Sequence, residues 1–143
     1  MTLHLVKLAV GIDDVPAFTD WVARRVREVQ ERGERPNIRH ITRRMPRRAA
    51  ELLAGGSLFW VVAGAIRVRQ RLLGFEAVEV DGKSSCAIVL EGVLIPTRAK
   101  KHRPFQGWRY LEAKDAPRDL VNQGGLAALP PEMADELQEL GLI

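Results

Sequence analysis

The alternation of apolar and arginine side chains between residues 66 and 72 constrains the fold more than any other feature of this sequence. The apolar positions are Ile66, Val68 and Leu72, and the intervening arginines are Arg67, Arg69 and Arg71. Successive side chains of a β-strand point to opposite faces. We therefore predict a strand that buries the three apolar residues and turns the three arginines to the opposite side.

The stretch 57–73 around this alternation has two interpretations. Residues 58–62, LFWVV, are of the types that favour strands, so we predict two strands that bend at Gly64. The alternative is one helix that begins at a Ser57 cap. In that helix Arg67 and Arg71 would share a face and Arg69 would leave it.

Signals elsewhere in the chain predict the other elements. Phe18, Val22, Val26 and Val29 recur at helical spacing behind the candidate caps Asp13 and Asp14, and Gly33 ends that helix. The remaining predicted elements are a strand in 3–11, a short strand at 38–42, a helix from Pro46 with Ala49, Leu52 and Leu53 inward, a hairpin turn at Asp81-Gly82, a strand ended by Pro96, a basic loop at 97–104, a strand at 105–111 and an acidic helix at about 130–143.

These elements predict one α+β domain over residues 1–143. We expect a mostly antiparallel, curled sheet or small open barrel, flanked by two or three helices. The longest apolar run, 58–66, is too short to span a bilayer, and residues 1–14 do not have the pattern of a signal peptide. Cys86 is the single cysteine, which excludes an intrachain disulfide. A cytoplasmic location is expected.

The basic side chains are concentrated in the middle of the chain. Residues 35–109 carry fifteen Lys and Arg against five Asp and Glu. Arginine binds planar oxyanions and stacks on bases, so this bias favours RNA or another nucleic acid. The candidate anion-binding residues form three groups: Arg39, Arg43, Arg44, Arg47 and Arg48; Arg67, Arg69 and Arg71; and Lys101, Arg103, Gln106, Trp108 and Arg109.

Each group also has an explanation without a ligand. The arginines at 67–71 could form a solvated sheet face, and those at 39–48 an exposed loop. Alternatively, the basic face could dock an acidic partner, such as the acidic C-terminal helix of a second copy, which leaves a homo-oligomer open. If the fold gathers the three groups beside Trp108 and Arg109, replacing Arg67 and Arg69 with Ala should weaken RNA binding and leave stability nearly unchanged, since exposed charges contribute little to folding.

Aromatic residues meet the third basic group at 105–110. A strand that begins at Phe105 would place Gln106, Trp108 and Tyr110 on one face and Arg109 on the other. Trp108 and Tyr110 could then stack a base whose edge Gln106 reads. The commoner role for Trp and Tyr in a small domain is core packing, and we favour that interpretation.

Few residues point to catalysis. His4, His40 and His102 have no metal-ligand spacing, and Cys86 lies in the apolar run CAIVL, where a buried, inert thiol is expected. The sequence also contains no phosphate-binding glycine loop and no nucleophile elbow. We assign no catalytic residue, metal or cofactor, and a metal-free enzyme is the third functional hypothesis.

Four sequence blocks resemble a known family. They are MTLHLVKLAVG, TRRMPRRAAELLAGGSLFWVVAGAIRVRQRLL, CAIVLEGVLIPT and RPFQGWRYL with the following DAPRDL. Together they resemble the bacterial family DUF1489 from Met1 to about Leu120, and this resemblance implies a single-domain bacterial protein without an established activity. The layout is also similar to PUA and ASCH barrel modules, which commonly bind RNA, although the ASCH signature G-x-K-x-x-E-x-R is absent.

Overall fold

A computed structural model describes residues 2–120 of the chain. The strands in this range are β1 (Leu3–Leu8), β2 (Asn37–Thr42), β3 (Ser57–Val62), β4 (Ala65–Val80), β5 (Lys83–Glu91), β6 (Ile95–Lys101) and β7 (Trp108–Glu112). The helices are α1 (Val15–Glu31) and α2 (Ala49–Leu53), and a 3-10 turn covers Ala113–Asp115. The α+β class is confirmed. The acidic helix predicted at about 130–143 lies outside the described residues.

The seven strands form one sheet in the order β2-β5-β4-β3-β1-β7, and β6 also pairs with β4. Only the β1–β3 ladder is parallel among the strand pairs of residues 2–120. β5 and β6 pair in succession with β4, which is 16 residues long. β2 and β7 lie at opposite ends of the order, and within the described range no ladder joins them, so the sheet is not closed into a barrel.

Two tight turns organise the centre of the sheet. Ala63-Gly64 joins β3 to β4 and Asp81-Gly82 joins β4 to β5, and all four residues have positive φ angles, between 51° and 81°. Positive φ at both central residues defines the type I′ turn, whose twist matches that of the paired strands. The two strands predicted in 57–73 and the hairpin predicted at 81–82 are therefore confirmed.

Helix α1 also follows its sequence signals. The Asp14 carboxylate accepts a hydrogen bond from the Ala17 backbone N–H at 2.7 Å, which caps the helix. The buried residues of the helix are Val15, Phe18, Val22 and Val29. The predicted apolar face therefore packs on the sheet.

Three local predictions are wrong. Leu53 of α2 does not face inward, since it is 41% exposed. Residues 97–101 are not a loop but belong to β6, because their backbone pairs with β4. Pro96 does not end the preceding strand, which already ends at Glu91; it lies inside β6 opposite Val68.

The sheet has a hydrophobic cluster on each face. The first core contains Leu5, Phe18, Trp60, Val68 and Trp108, among others. The second core consists of Val6, Phe59, Val61, Ile66 and Leu111. Adjacent residues of β1, Leu5 and Val6, point into different clusters, as strand alternation requires. Among residues 2–120, no helix is long and apolar enough to cross a membrane.

Candidate functional site

The first basic group is tied to the final strand through Arg44. The guanidinium of Arg44 lies 4.2 Å from the centre of the Trp108 ring. Trp108 Nε1 donates to the Arg44 carbonyl at 2.8 Å, and Arg44 Nη2 donates to the Trp108 carbonyl at 3.3 Å. Trp108 is 4% exposed and packs in the first core. Trp108 is therefore a core residue, as favoured, and its covered ring does not offer a surface for a base.

Tyr110 has a similar arginine neighbour but is more open. It is 37% exposed, so its predicted core role is wrong, and its ring meets that of Trp108 edge-on at 5.0 Å. The Arg48 backbone N–H donates to its hydroxyl at 3.2 Å, and the Arg48 guanidinium lies 5.5 Å from its ring centre. Arg48 also forms an ion pair with Glu51 at 2.6 Å.

The other candidates of the first group remain at the surface. Arg39 binds Glu76 with a shortest distance of 2.8 Å, which neutralises it locally. Arg43 and Arg47 are exposed, and neither forms an ion pair with another described residue.

The arginines at 67–71 do not form one exposed row. Arg69 is half-buried and binds Asp119 through two hydrogen bonds of 2.8 Å, while its Nη1 donates to Ser57 Oγ at 2.7 Å. Arg67 donates to the Val62 carbonyl at 2.8 Å, and Arg71 is exposed. The premise that Arg69 is an exposed charge is therefore wrong. Because Asp119 would lose its partner, we expect replacement of Arg69 to lower stability.

A β-bulge explains why the row breaks. Trp60 pairs with Val68 and Val61 with Ile66, so Arg67 is an extra residue in the ladder. Ile66 and Val68 are both buried as predicted, but Ile66 packs in the second core and Val68 in the first. The predicted common face for the apolar residues is therefore wrong, and Arg67 falls out of phase with Arg69.

The third basic group meets aromatic rings on the side of the second core. Phe105 packs against that core, its ring lies 4.9 Å from the His102 ring, and the Arg109 guanidinium lies 4.8 Å from its centre. Lys101 pairs with Ala65 at the end of β6, next to the turn that Arg67 contacts. We call Arg67, Lys101, His102, Arg103, Phe105 and Arg109 the β6 surface.

The predicted basic groups therefore do not gather into one surface. Arg44 and Arg48 contact Trp108 and Tyr110, which follow the phase of the first core. Arg109 lies between them in the strand and points the other way, towards Phe105. The predicted strand start at Phe105 is also wrong, since β7 begins at Trp108 after Gly107, whose φ is +72°. Gln106 is exposed in this turn and is not on the face of Trp108 as a strand residue.

The structure contains a cavity that the sequence patterns did not indicate. It has a volume of about 180 Å³ and lies between the end of β1, the start of α1 and the first-core face of the sheet. Its lining residues are Lys7, Leu8, Ala9, Val10, Ile12, Phe18, Trp21, Ile38, His40, Trp60, Gln70 and Leu90. One signal could have pointed to it: Lys7 shares the phase of Leu3 and Leu5, and His40 shares the phase of Ile38.

The polar groups of the cavity have unusual surroundings. Burial, together with the charge of Lys7, lowers the pKa of His40 to about 4, so its imidazole is neutral at pH 7. His40 Nε2 is buried and has no hydrogen-bond partner in the described part of the chain. Burial also lowers the pKa of Lys7.

Groups suited to metal or thiol chemistry are sparse. Within residues 2–120, no three His, Cys, Asp or Glu side chains are placed to hold a metal ion together. Cys86 is fully buried against Met45, as predicted, and burial raises the pKa of its thiol. A raised pKa lowers the thiolate fraction, which is the reactive form.

Comparisons with known proteins give a family but no relative of known activity. No curated protein and no solved structure matches the chain. The likeness to PUA and ASCH modules therefore stays a prediction. A family model described as a protein of unknown function matches residues 5–143, and the chain belongs to this family, DUF1489.

Proposed function

We propose that the protein binds single-stranded RNA or another nucleic acid through the β6 surface. One observation carries the proposal: four cations lie on or beside a segment with two partly exposed rings, and none of the four forms an ion pair with a carboxylate of residues 2–120. The cations are Arg67, Lys101, Arg103 and Arg109, and the rings are those of His102 and Phe105. Arg109 lies over the Phe105 ring, and Lys101 and Arg103 flank His102 in the chain. Arg67 binds the Val62 carbonyl, two residues before Gly64, whose carbonyl accepts from the His102 backbone N–H.

The chemistry of this surface suits a flexible polyanion. Lysine and arginine neutralise phosphates, and half-exposed aromatic rings stack on bases regardless of sequence. Arg109 already lies over the Phe105 ring, so a base would stack beside or in place of its guanidinium. By contrast, three other arginines, Arg39, Arg48 and Arg69, already have carboxylate partners. The four cations of the β6 surface have no carboxylate partner among the described residues and lie beside aromatic rings, so they can neutralise the phosphates of a ligand.

The test is a fluorescence-anisotropy titration of a labelled single-stranded RNA at several salt concentrations. We expect the double variant Lys101→Ala/Arg109→Ala to bind more weakly and to lower the slope of log affinity against log salt by about 1.4, or about 0.7 for each lost phosphate contact. The matched control is Arg24→Ala/Arg27→Ala on the exposed side of α1, which removes the same charge. It should keep the wild-type slope.

Two results would overturn the proposal. One is the absence of binding by the wild type at low salt. The other is an equal change of slope in both double variants, which would show that net charge and not the β6 surface is responsible. If the wild type instead forms an oligomer that Lys101→Ala/Arg109→Ala dissociates, and binds no RNA, the surface serves as a docking site for an acidic partner.

A further inference from the structure

The cavity at the end of β1 combines apolar walls with two polar groups that have no side-chain partner among residues 2–120. Phe18, Trp21 and Trp60 supply aromatic walls; the Phe18 and Trp60 rings meet edge-on at 5.4 Å. The opening lies near Val10, which is 79% exposed, and Trp21, which is partly exposed. The space is therefore reachable from solvent and is shaped by side chains that are fixed in the first core.

Gln70 is a wall of this cavity, and both polar atoms of its side chain already have a partner. Its Oε1 accepts from Trp60 Nε1 at 2.9 Å, and its Nε2 donates to the Glu91 carbonyl at 2.9 Å. Both partners are on neighbouring strands, so the amide is held in one orientation. It fixes the Trp60 ring and leaves the recognition of a ligand to other groups.

Lys7 and His40 have side-chain hydrogen-bonding groups that the described residues do not use. The Lys7 ammonium group forms no ion pair or hydrogen bond with another residue of the described range, although the side chain is half-buried. The His40 ring stands perpendicular to Trp60, with the ring centres 5.1 Å apart, and its Nε2 is the buried atom without a partner. Buried polar atoms in proteins are normally hydrogen-bonded, so His40 Nε2 and the nearby Lys7 ammonium both have hydrogen bonds to offer to a ligand in this cavity.

We propose that this cavity binds a small organic carboxylate, with its charged group at Lys7 and His40 and its apolar part against the aromatic walls. The carboxylate accepts hydrogen bonds from the Lys7 ammonium and from the N–H of the neutral His40 ring. This inference does not depend on the proposed RNA surface, because Lys7 belongs to the first-core face and the β6 surface to the other.

The size of the cavity limits the apolar part. A protein cavity of roughly 150 Å³ holds a benzene ring, and this cavity measures about 180 Å³. One ring or a short branched chain with a carboxylate therefore fits, whereas a nucleotide does not. A cationic ligand is disfavoured because Lys7 would repel it, and a neutral ligand would leave Lys7 without a counter-ion.

The experiment measures binding of benzoate to the full-length protein by tryptophan fluorescence and by ligand-observed NMR. Benzyl alcohol, of nearly the same shape but neutral, is the comparison ligand, and isovalerate tests the branched chain. We expect saturable binding of at least one carboxylate and at least roughly tenfold weaker binding of the alcohol, since a charge-assisted hydrogen bond is lost.

Three variants assign the binding to the cavity. Lys7→Met keeps the length of the side chain and should weaken carboxylate binding by about tenfold with little effect on the alcohol. Val10→Trp adds a ring at the exposed opening without disturbing the core and should weaken both. Lys83→Met, which removes an exposed lysine outside the cavity, should leave both unchanged.

The outcomes are unambiguous. Failure of both carboxylates to bind the wild type overturns the proposal, and so does equal affinity for benzoate and benzyl alcohol, which would mean an apolar cavity with no anion site. If Lys7→Met fails to fold, as judged by circular dichroism, Val10→Trp decides: unchanged binding in that variant places the ligand elsewhere and overturns the assignment. None of these results bears on the proposed RNA binding, so either proposal can fail without the other.

Discussion

Two arginine–aromatic pairs, whose rings are three residues apart in the chain, differ in how firmly the arginine is held. Arg44 and Trp108 are joined by two hydrogen bonds in addition to the ring contact, and Trp108 is buried. Arg109 and Phe105 share a ring contact of similar length, but no hydrogen bond links them and Arg109 is exposed. The comparison shows that a basic aromatic sequence does not by itself mark a binding surface. Hydrogen bonds to the backbone distinguish a structural contact from one that a ligand can replace.

The comparison predicts a large difference in stability between the two rings. Trp108→Ala should lower the free energy of unfolding by about 4 kcal/mol, because it removes a buried ring and leaves the Arg44 carbonyl without its donor. Phe105→Ala should cost only about 1 kcal/mol, since that ring is half-exposed. Urea denaturation of both variants measures the difference. Equal costs would show that the Phe105 ring is as much a part of the core as Trp108.

The arginines of β4 test the same distinction for charges. Arg69→Ala should lower the free energy of unfolding by roughly 2 kcal/mol, because Asp119 and Ser57 lose a half-buried partner. Arg71→Ala is the matched control on the same strand and should change it by less than about 0.5 kcal/mol. The measurement is again urea denaturation at constant salt. If the two variants are equally stable, the ion pair of Arg69 contributes nothing and its charge remains available to a ligand.

Acidification tests whether His40 is buried in the folded protein, because a buried imidazole makes the free energy of unfolding depend on pH. The pKa of His40 is about 4 in the folded protein and 6.5 in the unfolded chain. Between these two pH values the unfolded chain therefore binds more protons than the folded protein. Stability is therefore present above pH 6.5 and is lost as the pH falls towards 4. Between pH 7 and pH 5 we expect this loss to be about 2 kcal/mol.

The control for the pH experiment is His40→Gln, which removes the titration. Denaturant unfolding at both pH values should show about 2 kcal/mol less pH dependence in this variant than in the wild type. His4, whose pKa burial also lowers, is present in both proteins, so its effect cancels. An identical pH dependence would mean that His40 is solvated in the folded protein.

The sequence predicted those parts of the fold whose causes are local. The cap at Asp14, the turn at Asp81-Gly82 and the strand character of 66–72 depend on neighbouring residues, and the structure has all three. The basic and polar composition of residues 97–101 predicts a loop. Their strand conformation comes from pairing with β4, a partner about thirty residues away, which the local pattern does not contain.

The candidate sites show the same limit. The bulge at Arg67 depends on how β4 pairs with both β3 and β6, whereas the alternation of residue types alone predicts a regular row, which the structure does not have. The cavity depends on bringing Lys7 beside His40 across the order of the sheet. Each of the two polar side chains lies on the buried face of its own strand. This points to a shared site only once the fold shows that the two strands face the same cavity.

The two type I′ turns have a consequence for the order of folding. They make β3, β4 and β5 a meander of successive hairpins, whose contacts close short loops and so form at low entropic cost. β1 pairs with β3 and β7 with β1 across much longer separations in the chain. We expect the meander to form the folding nucleus and β1 and β7 to join afterwards. The walls of the cavity contributed by β1 and α1 would then be the last to assemble and the first to separate in partial unfolding.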